Sequence, residues 1–310
     1  MAESTKRLTG KVAIVTGAGQ AIGRGEAMLL AREGARVVVN DMVKENAEAV
    51  VAEIRAAGGE AVANTEPVGE MDVAQRMVAQ ALSTFGRLDI VVNNAGNQAV
   101  NPVDLMTGEQ WDAVQKVHLR GTFSLIRYAV PVFKKQRAGV IVNTSSEAGL
   151  GRPIAPSYCA AKEGIVGLTR AVAREQGRFG IRINAIRPRA AETGLTKIFM
   201  ENMQKWVPLI QGLGRHFLGE RGHVRTDAKA DQVAPLVIWL CTDAAVNVNG
   251  RTFYVAGEEV GLWSEPELIR SATRKGGWDL NSLDELAANY LTFDLVNNFL
   301  LKDSIGDREL

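Results

Sequence analysis

From residue 11 onward, apolar runs of strand length alternate with longer segments whose apolar positions recur every three or four residues. The short runs fall at 12–16, 36–40, 61–64, 88–93, 139–144, 182–186 and 252–255, and several are apolar almost without a break. Unbroken apolar strands are buried on both sides, as happens when crossover helices cover both faces of a parallel sheet. The pattern predicts an α/β protein, a doubly wound Rossmann-type sheet of seven parallel strands with helices on both faces, formed as a single domain over 1–310. Such folds bind ligands beyond the carboxyl ends of their strands. Gly17, Asp41, Asn94, Ser146 and Pro188 closely follow predicted strands and are therefore the first positions to read for chemistry.

Two segments break the rhythm. Residues 193–230 combine an amphipathic stretch with Gly212, Gly214, Gly219 and Gly222, which reads as a partly helical substrate lid or as a plain surface excursion. Residues 258–310 carry Trp263, Trp278 and an apolar run at 291–301. That extension is too apolar for a free tail and too short for its own core, so it is expected to pack on the domain or on a neighbouring subunit.

Composition narrows the function class. The 310 residues are 46% hydrophobic, enough for a sizeable core, and 36 basic residues face 35 acidic ones. No overall field is available to hold nucleic acid or an anionic membrane. The first residues lack the apolar core of a signal peptide and no apolar run approaches the roughly 20 residues that span a bilayer. Arg308-Glu309-Leu310 is not the Ser-Lys-Leu type of peroxisomal address, so a soluble cytoplasmic protein is expected. Cys159 and Cys241 read as small buried thiols. His118, His216 and His223 do not cluster with cysteines or carboxylates at ligand spacing, and no metal site is expected.

The segment from Thr16 to Gly25, Thr-Gly-Ala-Gly-Gln-Ala-Ile-Gly-Arg-Gly, lies between the first strand and a helix. Glycines there let the backbone approach a pyrophosphate, which rests on free N–H groups at the positive end of the helix dipole. Asp41 follows the second strand, where its carboxylate can accept from both ribose hydroxyls of an adenosine and would repel a 2′-phosphate. Met42 and Val43 follow, with no arginine close by, so NAD is preferred over NADP. Tyr158 and Lys162 stand four apart in a helical pattern and so share a face. A cation near a phenol favours its ionised form and brings it closer to use at neutral pH.

Thr16-Gly17 to Gly23, Asn93-Asn94-Ala95-Gly96, Ser146 and the Tyr158/Lys162 pair, in this order, resemble the short-chain dehydrogenase/reductases over about residues 8–257. Val39-Asn40-Asp41, residues 117–121, residues 233–241 and residues 253–257 look more narrowly like the (3R)-hydroxyacyl-CoA dehydrogenase domain of peroxisomal multifunctional enzymes. The resemblance implies that Tyr158 is the general acid/base, that Lys162 lowers its pKa and binds the nicotinamide ribose, and that Ser146 binds the substrate oxygen. It further implies that Gly17, Gln20, Ala21, Ile22, Gly23, Asp41, Asn94, Ala95, Gly96, Pro188 and Thr193 border the cofactor, together with Tyr158 and Lys162. The implied activity is hydride transfer between NAD and a secondary alcohol or ketone, with a 3-hydroxyacyl-CoA or a steroid-like compound as the small-molecule substrate. An NADPH-dependent 3-oxoacyl reductase and a non-catalytic NAD-sensing regulator are the competing readings. A homo-oligomer, dimer or tetramer, is implied as well.

The chain departs from the family pattern at several positions. Ala21 replaces the usual second glycine of the turn, and His118 stands where the family has an asparagine. His118 then holds the helix bend or a water leading to Lys162, or it is a core histidine with no such duty. The usual spacing to the tyrosine selects Ser145, whereas the local motif Ser146-Glu147-Ala148-Gly149 selects Ser146, the preferred reading. Arg189 replaces a usual glycine after Pro188. With Arg152 it is a candidate contact for an acyl-CoA phosphate, the alternative being solvated surface arginine.

Overall fold

The computed structural model describes residues 6–190, 193–207 and 228–295. These fall into two units, one made of 6–207 and 228–263 and the other of 264–295. Residues 208–227, with His216, His223 and most of the proposed lid, lie outside the described residues, as do 296–310 and the greater part of the 291–301 run. No helix among the described residues is long and apolar enough to cross a membrane.

The first unit is built on one sheet. Its strands are β1 (Val12–Thr16), β2 (Arg36–Asn40), β3 (Ala61–Asn64), β4 (Ile90–Asn93), β5 (Gly139–Thr144), β6 (Ile181–Pro188), β7 (Thr252–Ala256) and β8 (Glu259–Leu262). They lie in the order β3-β2-β1-β4-β5-β6-β7-β8. Strands β1 to β7 are parallel, as the apolar runs require. The eighth strand is an addition to the seven expected, pairing antiparallel with β7 across a turn at Gly257, whose φ is +58°. β8 is a mostly exposed edge strand with one polar and one glycine position in four, so it carries no apolar run to mark it.

Each central strand feeds two cores. In β1, Ala13 and Val15 pack with α1 (Ala21–Arg32) and α2 (Lys44–Ala56) on one face of the sheet. Val12 and Ile14 pack on the other face with α3 (Met71–Phe85) and the helix Gly121–Gln136. Burial of each such Val or Ile is worth about 1.5–3 kcal/mol, which is why the alternating faces of an all-apolar strand dictate two helical layers. On the second face the chain runs from α4 (Gly108–Gln115) through a π-helical stretch, Lys116–Arg120, into α5 (Gly121–Gln136). A Thr107/Gln110 capping box starts α4. Pro156 opens the long helix α6 (Pro156–Gln176), where its missing N–H costs nothing. Gly164 on α6 lets Leu119 of the π stretch come close, so this small residue serves an intramolecular contact. Beyond β6 come α7 (Gly194–Met203) and then α8 (Ala234–Cys241), which closes the first core.

The second unit contains α9 (Leu280–Leu286), started by a capping box between Asp279 and Ser282, and a π-helical turn, Ala287–Leu291. Arg270 pairs with Asp294 and lies over the Phe293 ring at 5.0 Å. Arg274 pairs with Asp279 at 3.0 Å.

One buried group in the first unit is out of keeping with its surroundings. Glu26 of α1 is fully buried, neither carboxyl oxygen has a hydrogen-bond partner, and burial pushes its pKa up to about 8. Folding therefore favours the protonated form, and its stability contribution, intact below the unfolded pKa near 4.5, is lost as pH rises to about 8. Glu26→Gln should remove that loss. Denaturant unfolding at pH 5 and pH 8 is expected to show a stability gain that grows with pH to a few kcal/mol; a gain independent of pH would mean the carboxyl ionises freely in the folded protein.

Candidate active site

The carboxyl ends of β1, β2 and β4 meet at the glycine turn. Gly17 has a φ of +62°, and a Cβ there would lie 2.8 Å from the Ala95 Cα. At Gly23 a Cβ would meet the Gly17 carbonyl at 2.2 Å, so the first turn of α1 rests directly on the loop. Asn94 Nδ2 donates to the Thr16 and Gly17 carbonyls at 3.0 and 3.1 Å, and the Thr16 hydroxyl accepts from the Asn94 and Ala95 N–H groups. The Asn94-Ala95-Gly96 segment thus braces the turn. Gln20 caps α1 without a side-chain hydrogen bond, and its first turn holds no acid, so the dipole's positive end is left for an external anion.

Asp41, buried at the end of β2, accepts from the Gly19 N–H through Oδ2 and from the Val43 N–H through Oδ1, both at 3.0 Å. A Cβ on Gly19 would strike Oδ2 at 2.6 Å. The carboxylate is thereby fixed against the turn, where an adenosine ribose on the same cradle would meet it. A Cβ on Gly194, first residue of α7, would come within 3.9 Å of the Gln20 amide nitrogen, and Thr193 caps that helix by accepting from the Thr196 N–H at 3.1 Å. This set fits a dinucleotide: an uncapped helix start, a glycine cradle and a fixed carboxylate.

Ser145 and Ser146 leave β5 in different directions. The buried Ser145 donates to the Lys162 carbonyl at 2.8 Å and so ties β5 to the backbone of α6. Ser146, also buried, has a different partner: its Oγ accepts from the Ala148 N–H at 3.1 Å, and the side chain is close enough to Tyr158 to help lower the phenol's pKa. Arg187, buried at the end of β6, donates to the Ser146 carbonyl at 2.8 Å and pairs with Glu163. Arg187 and Glu163 belong to the scaffold of this serine and were missed in the sequence. The available signal was a lone arginine at the end of an apolar strand.

Tyr158 and Lys162 share a face of α6, with the lysine Nζ 5.4 Å from the centre of the phenol ring. Both are buried, and burial acts on them in opposite senses, raising the phenol and pulling the ammonium down to about 7. Nζ donates to the Thr144 carbonyl at 2.6 Å. The charge that opposes the rise at Tyr158 is that of Arg152, followed by the hydrogen bond from Ser146. The resemblance implied Lys162 for this effect; Arg152, in the loop before α6, adds a charge that acts in the same sense.

His118 sits in the π-helical stretch and is almost fully buried. Its ring stands edge-on to Tyr158 at 5.1 Å, and Nε2 lies 2.7 Å from the Asn97 carbonyl and 3.1 Å from the Asn97 nitrogen, donating to the first or accepting from the second according to the tautomer. Nδ1 has no partner, and a Cβ on Gly96 would strike the ring at 2.5 Å. Burial, followed by the charge of Lys162, holds its pKa well below 6.5, so the ring is neutral. Of the remaining candidates, Arg189 pairs with Glu147 at 3.5 Å, while Arg152 lies over the Phe199 ring of α7 at 4.7 Å. Cys159 is half-buried with Sγ on the Ala148 carbonyl at 2.9 Å, and Cys241 is buried, its thiol pushed up to about 12.

Residues 11–204 match the family described as short chain dehydrogenase. The chain is 39% identical over 302 residues to the hydroxyacyl-CoA dehydrogenase ChsB1 of Mycobacterium tuberculosis, covering 93% of this chain and 90% of that protein. It is 37% identical over 282 residues to the peroxisomal multifunctional enzyme type 2 of Mus musculus, covering 88% of this chain but 35% of the larger protein. A short chain dehydrogenase from Mycobacterium avium, solved by crystallography, superposes with a TM-score of 0.77 at 36% identity, over 92% of this chain and 95% of the other.

Ala21, at the position where a second glycine was expected, has a φ of +45°. A left-handed conformation costs an L-residue roughly 1–2 kcal/mol, partly offset by alanine's smaller entropy loss on folding. Ala21→Gly is therefore expected to stabilise the chain by about 0.5–1 kcal/mol, seen as a higher denaturation midpoint. An unchanged midpoint would show that alanine occupies the turn without strain.

Proposed function

The chain belongs to the short-chain dehydrogenase/reductase family, oxidoreductases that act on hydroxyl and keto groups with a nicotinamide cofactor, and from this we propose that it oxidises a 3-hydroxyacyl-CoA with NAD. The observation that carries the reading is the burial of Ser146, Tyr158 and Lys162 beyond the carboxyl edge of the sheet, with the Lys162 Nζ 5.4 Å from the centre of the phenol ring. Asp41, held against the glycine turn, supports NAD over NADP, because a 2′-phosphate would place like charges together. The names of the two relatives, a hydroxyacyl-CoA dehydrogenase and a peroxisomal multifunctional enzyme, support the thioester.

In this reading the Ser146 hydroxyl holds the substrate oxygen and Tyr158 exchanges its proton. Bound nicotinamide supplies the hydride acceptor at the carbinol carbon. For oxidation Tyr158 must be ionised, so that the phenolate accepts the substrate's hydroxyl proton. Burial works against that, while Arg152 and the Ser146 hydrogen bond work for it. Lys162, poised near 7, is able to give or take a proton in the same pH range. His118 is neutral and bonded to the loop after β4, which suits a group that positions Gly96 and Asn97 rather than one that titrates. Exposed Leu105, Trp111 and Phe123 support pairing of the α4–α5 region with a second copy.

Tyr158→Phe is expected to lower turnover at least 100-fold while leaving NAD binding by fluorescence titration nearly intact; full activity would remove the phenol from the chemistry. Asp41→Ala should raise the kcat/KM ratio of NADP to NAD about tenfold or more, and an unaltered ratio would reassign the choice of cofactor. Initial rates across (3R)- and (3S)-hydroxyacyl-CoAs, steroids and simple alcohols decide the substrate.

A further inference from the structure

Around the mouth of the site stand three arginines whose partners differ. Arg187 is consumed by Glu163 and the Ser146 carbonyl, and Arg189 by Glu147. The Arg152 guanidinium has no carboxylate within ion-pair distance among the described residues; the acid whose charge reaches it, Glu147, is the one already paired with Arg189. Its face rests on Phe199 of α7 at 4.7 Å. A guanidinium over a ring is held by cation–π attraction, which does not consume its N–H donors.

The loop that carries Arg152 is itself tied down. The Arg152 N–H donates to the Ala148 carbonyl at 3.0 Å, and Cys159 Sγ contacts the Arg152 carbonyl at 3.3 Å. Leu195, one helical turn before Phe199, packs with Tyr158, Ala148 and Ala155, so the same helix borders both the phenol and the arginine. The charge of Arg152 acts directly on Tyr158. Because Leu195 and Phe199 stand one turn apart on α7, the guanidinium over Phe199 lies on the side of the site that Tyr158 borders. The phosphates of a coenzyme A ester are a pantetheine arm away from the reacting carbon, so a guanidinium on the Tyr158 side suits the acyl end of such a substrate better than its phosphates.

We propose that Arg152 is the specificity residue of this site, its free N–H edge receiving the thioester carbonyl oxygen that stands two carbons from the reacting carbinol. A 3-hydroxyacyl thioester then makes two polar contacts, hydroxyl to Ser146 and Tyr158 and carbonyl to Arg152. A simple secondary alcohol makes only the first. The inference rests on the proposed activity toward 3-hydroxyacyl thioesters and adds the residue that selects them.

Steady-state rates of wild type, Arg152→Met and Arg152→Lys with NAD test it, using 3-hydroxybutanoyl-CoA and cyclohexanol, with NAD affinity and melting temperature confirming that each variant is folded. Loss of a charge-assisted hydrogen bond predicts that Arg152→Met lowers kcat/KM for the thioester about 10- to 100-fold. The loss on cyclohexanol should be several times smaller and arise from the weaker field on Tyr158. Arg152→Lys should recover part of the thioester rate. Equal losses on both substrates would mean that Arg152 only holds α7 or tunes the phenol, and overturn the inference; an undiminished thioester rate would do the same. A wild-type enzyme active on cyclohexanol but on no 3-hydroxyacyl thioester would instead defeat the proposed substrate, and this inference with it.

Discussion

A buried chain of side-chain amides holds the carboxyl ends of the central strands in register, and the site depends on it. Asn93 of β4 donates to Asn143 of β5 at 2.9 Å, directly across the ladder, and Asn143 donates to Thr169 of α6 at 3.0 Å. On the other side, Asn40 of β2 donates to its ladder partner Asn64 of β3 at 2.8 Å. A buried amide left unpaired costs about 1–3 kcal/mol, so a slip of any of these strands is penalised beyond the apolar packing. Because Thr169 lies on α6, the same chain sets the height of the helix that carries Tyr158 and Lys162. Catalytic geometry and sheet register are one constraint.

Desolvation is the second theme. Tyr158, Lys162 and His118 all lie within the protein, where charged forms are disfavoured, and each shifts in the direction burial dictates. The result is a phenol reluctant to ionise, an ammonium ready to lose its proton and an imidazole that stays neutral. Within the isolated chain the field that favours the phenolate comes from Arg152, a residue in the loop between the serine and the tyrosine. The helical pair alone is therefore an incomplete account of proton handling. The scaffold behind Ser146, a buried arginine held by Glu163, is likewise supplied from a neighbouring strand and from α6.

Function is also written in departures from regularity. Ala21 accepts a left-handed conformation where the turn needs one, and His118 occupies a π-helical widening next to the tyrosine. Such widenings let a side chain reach across a helix turn, and here the reach ends on the loop after β4. Glu26 is different in kind: a buried, unpartnered carboxyl in the middle of α1 that destabilises the folded chain as pH rises.

The seven parallel strands, the glycine turn, Asp41 and the Tyr158/Lys162 face were legible in the sequence because each rests on local rules: unbroken apolar runs, glycine where a Cβ has no room, and the 3.6-residue period. Five of the seven runs match their strands to within one residue at both ends. The antiparallel β8 was not legible, since an exposed edge strand owes its existence to β7 rather than to its own residues. Ser145 and Ser146 differ in their partners, Ser145 donating to the Lys162 carbonyl and Ser146 accepting from the Ala148 N–H, which spacing to the tyrosine could not give. Partners of charged groups belonged wholly to the tertiary structure. Sequence shows that Arg152, Arg187 and Arg189 exist, but only long-range packing decides that two pair with Glu147 and Glu163 while the third lies over the Phe199 ring, because such contacts form between residues brought together by the fold, not by the chain.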